Sequence, residues 1–175
     1  LQQTNKHLHF ISFEAYPLDY EAWQKIAPTR ASLQIYRVLA DNPPPLLTGW
    51  HRRSFDNGRV QLSVYHGNAL DGLQDLAKRQ RQPVDAWFLD GFSPPKNPDM
   101  WDLNILSAIA DNSTQGTTVG SFTSAGAVRR GLEALGFAMR KVDQKPIKRS
   151  SLAGTLVANG SKQRQSTPQS VSFFV

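Results

Sequence analysis

The 175-residue sequence contains no cysteine, so it can form no disulfide, no thiolate metal site and no cysteine nucleophile. Its histidines are scattered without the spacing of metal ligands, and the sequence therefore predicts no bound metal. No apolar run reaches the roughly 18 residues that a membrane helix needs. The first residues also lack the basic-then-apolar order of a signal peptide. These absences predict a soluble, cytoplasmic protein without a membrane segment.

Positive charge is concentrated in one part of the chain. Between residues 140 and 164 there are seven basic residues and one acid, Asp143, which accounts for the whole net charge of +6. Such asymmetry favours a polyanionic partner, and nucleic acid is the leading candidate because Lys and Arg contacts to phosphate release counterions. A second interpretation stays open: residues 159–175 are rich in Ser, Gln and Thr and are also typical of a polar tail or linker.

Hydrophobic periodicity and turn residues predict strands that alternate with helices in one domain, residues 1–158. The predicted strands are residues 8–13, 50–55, 60–65, 84–89, 117–122, 137–142 and 151–158. The predicted helices are a segment capped by Asp19 and residues 30–41, 68–80, 99–112 and 126–135. Asn57-Gly58 predicts a two-residue hairpin turn, and the short connection between the last two strands requires that they are antiparallel. The alternation predicts an α/β fold with a mostly parallel sheet.

The strand at residues 84–89 ends in a carboxylate, Asp90, and a loop stiffened by Pro94, Pro95 and Pro98 follows it. Open α/β sheets bind ligands at the carboxyl ends of their strands, so the pattern predicts a site at Asp90. The alternative is an ordinary connection in which Asp90 caps a structural element.

Two other strand ends carry polar groups suited to a small ligand, Glu14 and Asn68-Ala69. In nucleotide-binding α/β folds an acid at the end of the second strand accepts hydrogen bonds from ribose hydroxyls. A glycine-rich turn normally lies about 20 residues before that acid, but only 13 residues precede Glu14. The sequence therefore predicts that a first strand and its glycine-rich turn lie upstream of Leu1 or were lost.

Three blocks of sequence closely resemble one protein family: residues 88–101, residues 122–126 and residues 128–132. The family is the N-terminal methyltransferase domains of bacterial bifunctional enzymes of tRNA 5-methylaminomethyl-2-thiouridine biosynthesis, and the resemblance covers residues 8–157. It implies a Rossmann-like class I fold that uses S-adenosyl-L-methionine to methylate the aminomethyl group of a wobble uridine in tRNA. It also implies a fused C-terminal oxidase that uses FAD.

The same resemblance implies roles for particular residues. Glu14 matches the acid that binds the cofactor ribose, and Asn68 and Ala69 match a segment beside the adenine that usually reads Asp-Ala. Asp90 matches the catalytic carboxylate, which also borders the cofactor together with Gly91. The matched loop after Asp90 also contains the predicted substrate contacts Phe92, Pro94 and Asn97, although Phe92 could instead pack in the core. By their charge, four residues are candidates for contacts to tRNA phosphates, with an ordinary solvated surface as the alternative for each: Lys96, Arg129, Arg130 and Lys148. Asn68 departs from the family because it keeps an acceptor but removes the charge. For Trp101, packing in the core is a better interpretation than stacking on the uridine.

Two further hypotheses stay open at this point. The chain could be a non-catalytic RNA-binding module, with its basic segment as the functional part. It could also be another α/β nucleotide enzyme, such as a dehydrogenase, although that class equally requires a glycine-rich turn and finds no support in the Asp90 loop.

Overall fold

Strands and helices alternate along the chain, as the sequence predicts. A computed structural model describes residues 6–30, 34–79, 82–90, 97–144, 148–157 and 170–171. The strands are β1 (His7–Glu14), β2 (Gly49–Phe55), β3 (Val60–His66), β4 (Ala86–Leu89), β5 (Thr118–Ser121), β6 (Phe137–Gln144), β7 (Lys148–Leu156) and β8 (Ser170–Val171). The helices are α1 (Tyr20–Ile26), α2 (Gln34–Asp41), α3 (Ala69–Arg79), α4 (Leu103–Asp111) and α5 (Gly126–Ala134).

The described strands form two hydrogen-bonded groups, with the orders β2-β3-β1-β8 and β4-β5-β7-β6. β1 is parallel to β3 and β8, and β4 is parallel to β5. β2 pairs antiparallel with β3, and β7 pairs antiparallel with both β5 and β6. The α/β class and the antiparallel final pair are confirmed. The pairing is more mixed than the mostly parallel sheet that the sequence predicts, because β2–β3 and β6–β7 are hairpins whose short connections cannot cross over.

Side-chain caps set the beginnings of three helices. Asp19 accepts a hydrogen bond from the Ala22 N–H at 2.7 Å, and Asn68 accepts one from the Leu70 N–H at 2.8 Å, so both predicted caps are confirmed. The helix predicted from residue 99 instead begins after Asp102, whose Oδ1 accepts from the Ile105 N–H at 2.9 Å. The preceding residues, Pro98–Trp101, form a 3-10 turn, and the extended backbone of Asp102 separates this turn from α4.

The hairpin connection is longer than Asn57-Gly58 predicts. Phe55 pairs with Val60, which leaves four residues between the strands instead of two. Asp56 and Asn57 both have φ of +52°, and Gly58 has φ of +85°. An ion pair of 2.7 Å between Arg59 and Asp56 closes this wider turn. The hairpin is confirmed, but the predicted two-residue turn is wrong.

One hydrophobic core joins both groups of strands to α3, α4 and α5. Ile11 and Phe13 of β1 belong to the same cluster as Trp87 and Leu89 of β4. Trp87 is fully buried, and its indole N–H donates to Ser113 Oγ at 2.8 Å, which satisfies its one polar group. Trp101 packs partly buried against this core, which supports the core interpretation of that residue.

Within the described ranges, every helix is too short or too polar to cross a membrane.

Gly72 allows α3 to lie directly on β1 and β3. A Cβ at this position would stand 2.6 Å from the rings of both Phe13 and Tyr65. Because the rings must move to admit a methyl group, we expect Gly72→Ala to lower the free energy of unfolding by about 1–3 kcal/mol, despite the better helix propensity of alanine. Urea denaturation measures the change. Gly120→Ala is the control, because a Cβ at that position would have nothing within 4 Å, and equal losses in the two variants would refute the packing argument.

Candidate cofactor and substrate site

Glu14 is the last residue of β1 and lies at the carboxyl end of the parallel β1–β3 pair. It lies in register with His66 of β3, and its backbone carbonyl accepts a hydrogen bond from the Gly67 N–H at 2.9 Å. The side chain is half-buried, and burial raises the pKa of the carboxyl group. Its carboxylate has no hydrogen-bond or ion-pair partner among the described residues. A half-buried acceptor of this kind fits a ligand that brings hydroxyl donors.

Asn68 adjoins Glu14, as the sequence predicts. Gly67 turns the chain at the end of β3 with φ of +142°, a conformation that favours glycine, and the exposed Asn68 follows it. The amide oxygen of Asn68 caps α3, so the amide NH₂ is the group that can reach a ligand. Ala69 is the first residue of α3. The structure therefore brings Glu14, Asn68 and Ala69 together at one end of the β1–β3 pair.

Asp90 follows β4 and is exposed. The peptide before it is held by Ser121, the register partner of Leu89, whose hydroxyl donates to the Leu89 carbonyl at 3.0 Å. The same hydroxyl accepts from the Thr123 N–H at 3.2 Å, which ties the end of β5 to the end of β4. Asp90 is thus a solvent-accessible carboxylate on a fixed strand end, which is a suitable platform for chemistry.

Phe122 is a further candidate site residue that the sequence did not single out. It follows β5 as Asp90 follows β4, so the two lie at neighbouring strand ends, and the Phe122 side chain is 53% exposed. An aromatic ring beside a carboxylate can stack on a flat substrate. The sequence signal that could have identified Phe122 is its position as the first residue of the family-like block at residues 122–126.

The remaining residues of the Asp90 loop are covered only in part. Gly91, Phe92, Pro94 and Lys96 lie outside the described residues, and their roles stay predictions. Asn97 is half-buried just before the 3-10 turn.

The basic residues proposed to contact tRNA differ in their surroundings. On α5, the Arg129 guanidinium lies 3.0 Å from the Glu133 carboxylate, so its charge is partly neutralised. Arg130 is exposed, with Nη1 close to Gly126 at the start of the helix. Lys148 is the first residue of β7, and its side chain is outside the described part of the structure. Of the two arginines, Arg130 is therefore the better candidate for a phosphate contact.

Three side chains of the β2–β3 hairpin hold the loop at residues 42–47 against the hairpin. Arg53 donates to the Pro43 carbonyl at 3.2 Å, His66 Nδ1 lies 3.0 Å from the Pro45 carbonyl, and His51 Nε2 lies 2.7 Å from the Leu47 carbonyl. The two imidazole rings are 4.5 Å apart. The sequence shows only scattered histidines, because the hairpin register is what places His51 and His66 together.

The buried His66 and the half-buried His9 predict loss of stability in acid. Burial is the main cause that lowers the pKa of both His66 and His9, with the neighbouring His51 and Arg52 as the respective second causes. Because the pKa is lowered in the folded protein, a fall in pH protonates these histidines in the unfolded chain before it protonates them in the folded protein. The stabilisation is therefore complete above the unfolded pKa of about 6.5 and declines as the pH falls below it.

We expect the thermal midpoint to decrease between pH 7.5 and pH 5.5 and His66→Gln to reduce this dependence, measured by circular dichroism. His7→Gln, which changes an exposed histidine at the start of β1, is the control. An unchanged pH dependence in His66→Gln would remove His66 from this explanation.

Among the described residues, no three His, Asp or Glu side chains gather into a group that could hold a metal ion.

Comparison with known proteins adds to this geometry. A family model described as S-adenosyl-L-methionine-dependent methyltransferase matches residues 31–157. The tRNA 5-methylaminomethyl-2-thiouridine biosynthesis bifunctional protein MnmC of Pseudoalteromonas translucida (strain TAC 125) is 42% identical over 170 residues. That match covers 97% of this chain and 25% of the relative, so the chain spans about a quarter of its length. The crystal structure of MNMC2 from Aquifex aeolicus shares the fold, with a TM-score of 0.61 and 20% identity over 91% of this chain and 57% of that chain.

Proposed function

This chain belongs to a family of S-adenosyl-L-methionine-dependent methyltransferases, and we propose that it methylates the aminomethyl nitrogen of 5-aminomethyl-2-thiouridine in tRNA. The observation that carries the proposal is the 42% identity, over nearly the whole chain, to a protein named for biosynthesis of the methylated product. The accessible carboxylate of Asp90 at a strand end provides a residue suited to the reaction.

The cofactor would be held first by Glu14. Its carboxylate is half-buried and unpartnered among the described residues, so hydrogen bonds from the two ribose hydroxyls would satisfy an acceptor that the fold leaves open. Asn68 and Ala69 would border the adenine, through the amide NH₂ and the backbone of the first turn of α3. Gly91 would border the cofactor beside Asp90. When bound, S-adenosyl-L-methionine supplies the electrophilic methyl group.

Asp90 would prepare the nucleophile. An alkylamine is mostly protonated at neutral pH, and a carboxylate at hydrogen-bond distance can orient it and accept its proton, directly or through water. The same charge stabilises the ammonium that forms as the nitrogen gains the methyl group. Alignment of the amine with the methyl donor can lower the activation barrier by on the order of 7–11 kcal/mol. A rigid strand end before Asp90 would help to keep the amine in that alignment.

The tRNA would be bound by aromatic and basic groups around that carboxylate. Phe122, together with Phe92 of the loop after Asp90, would stack on the uridine. Pro94 and Asn97 would be the other neighbours of the uridine. Phosphate contacts would come from Lys96, Arg129, Arg130 and Lys148. Because such contacts release counterions, tRNA affinity should fall steeply with salt concentration.

An oxidase activity would be carried by a second domain fused to this one. The chain spans a quarter of a relative named as bifunctional, which supports a larger protein with an FAD-dependent oxidase C-terminal to this domain. We assign residues 1–158 to the methyltransferase domain and residues 159–175 to a tail or linker, part of which returns to the sheet at β8. A tRNA-modifying enzyme of this kind would work in the cytoplasm.

Methyl transfer to defined tRNA tests the proposal. Full-length protein and labelled S-adenosyl-L-methionine are incubated with tRNA that carries 5-aminomethyl-2-thiouridine, and nucleosides are separated after digestion. We expect label only in 5-methylaminomethyl-2-thiouridine, and none with tRNA that lacks the aminomethyl group. Binding of tRNA without any methyl transfer would favour the non-catalytic RNA-binding hypothesis.

A further inference from the structure

A short turn just before β2 is fixed by hydrogen bonds at both of its ends. The Pro45 carbonyl accepts from the Leu47 N–H at 2.8 Å, which makes a three-residue turn centred on Leu46. The same carbonyl lies 3.0 Å from His66 Nδ1, and the Leu47 carbonyl lies 2.7 Å from His51 Nε2. Because a carbonyl only accepts, both imidazoles donate to the turn. The two histidines therefore hold this turn in one position.

This turn borders the carboxyl end of the β1–β3 pair. His66 is the register partner of Glu14, so the two side chains share one face of the sheet. Thr48, the residue after the turn, stands against Gly67, because a Cβ on Gly67 would lie 3.4 Å from Thr48 Cγ2. Gly67 donates its N–H to the Glu14 carbonyl and directly precedes Asn68. The turn thus lies at the same end of the sheet as the residues proposed to hold the cofactor.

The turn exposes two apolar side chains next to polar ones. Leu46 is 58% exposed and Leu47 is 67% exposed, so neither belongs to the hydrophobic core. Small-molecule sites are lined mainly by apolar side chains, with a few polar groups that fix the orientation of the ligand. The carboxylate of Glu14 and the amide of Asn68 are polar groups of this kind. Together they suit a nucleoside, which has hydroxyl groups on its sugar and a flat π-face on its base.

We propose that Leu46 and Leu47 form an apolar wall of the adenine pocket, and that His51 and His66 are positioning residues for this wall. The inference rests on the proposed function, because it assigns a further contact to the cofactor named there. The leucines cover a face of the adenine ring, while the Asn68 amide meets the polar edge of the ring. Fixing the turn in advance lowers the entropy that binding would otherwise cost.

Calorimetric titration of the full-length protein with S-adenosyl-L-methionine tests the wall. We expect Leu46→Ser combined with Leu47→Ser to raise Kd about 5–30-fold, because apolar contact with the ring is lost. The rate at saturating cofactor should not change, since the contact is with the adenine and not with the methyl group. Val157→Ser is the matched control, because Val157 is 55% exposed and follows the end of β7 that pairs with the start of β5.

The outcomes of this titration separate the inference from the proposed function. An unchanged Kd in the double leucine variant, with normal binding by the unmodified protein, would overturn the adenine wall and leave the methyltransferase proposal standing. If the unmodified full-length protein does not bind S-adenosyl-L-methionine, both the proposed function and the wall are wrong.

Two variants of His66 test the positioning role. His66→Leu removes the donor to the Pro45 carbonyl, so we expect Kd for S-adenosyl-L-methionine to rise about fivefold. His66→Asn keeps an N–H group at the place of Nδ1 and should recover most of the affinity. The positioning role is wrong if His66→Leu binds as tightly as the unmodified protein, or if His66→Asn loses as much affinity as His66→Leu.

NMR spectroscopy detects the contact directly. The full-length protein with labelled leucine methyl groups is saturated with S-adenosyl-L-homocysteine, the product that retains the adenine. We expect nuclear Overhauser effects between the methyl groups of Leu46 or Leu47 and the carbon-bound protons of the adenine ring, and these signals should vanish in the double serine variant. Overhauser effects from these methyl groups to added tRNA, with none to the adenine, would overturn the wall and assign the leucines to the substrate.

Discussion

Asp90→Asn is expected to slow methylation of tRNA by at least about 10²-fold, with binding of cofactor and tRNA nearly unchanged. Asparagine keeps the shape and one acceptor oxygen of the side chain but cannot take the proton from the ammonium form of the substrate. General-base contributions are typically about 10²–10⁴-fold, which makes this the largest effect that the site predicts. The loss should therefore appear in rate and not in affinity.

Single-turnover methylation in the full-length protein is the appropriate assay, with binding of S-adenosyl-L-methionine and tRNA measured separately. Asp99→Asn is the matched control, because Asp99 is an exposed carboxylate in the nearby 3-10 turn. Near-normal turnover in Asp90→Asn would return Asp90 to a structural role. A fall in cofactor affinity in proportion to rate would instead make Asp90 a ligand of the cofactor.

Glu14→Ala should weaken the binding of S-adenosyl-L-methionine by about 1.5–3 kcal/mol, or roughly 10–150-fold in Kd. The reason is the loss of a charged acceptor for ribose hydroxyls at a half-buried position. The rate at saturating cofactor should change little, because Glu14 is not proposed to touch the reacting atoms.

Isothermal titration calorimetry on the full-length protein measures this effect directly. Glu21→Ala removes an exposed carboxylate in the first turn of α1 and serves as the control. If both variants bind the cofactor as the unmodified protein does, Glu14 is not part of the cofactor site. If only Glu14→Ala binds weakly, the carboxylate at the end of β1 is assigned.

The predicted strand ends and the structure agree best where the signals are local. Apolar runs that stop at polar residues place Glu14 and Asn68 at strand ends, and the β1–β3 pair brings both to one edge. The same kind of pattern identifies Asp90. The proximity of Glu14 and Asn68 could be predicted because parallel strands align their carboxyl ends.

Disagreement arises where two local signals compete. Asp99 and Asp102 both have the side chain of a helix cap, and only the extended backbone at Asp102 decides between them. Asn57-Gly58 carries a strong two-residue turn signal, but the pairing of Phe55 with Val60 leaves a four-residue connection. The pairing of β2 with β3 runs over seven positions, which outweighs the turn preference of one dipeptide.

Local sequence patterns are sufficient to predict the α/β class, most element positions and the three polar strand ends, because these depend on periodicity and turn chemistry within short segments. Three features became visible only in the three-dimensional arrangement: His51, His66 and Arg53 hold one loop, Asp90 and Phe122 follow neighbouring strand ends, and residues 170–171 pair with β1. These contacts join residues far apart in the chain. Their geometry depends on strand register and on packing between elements, which no local pattern encodes.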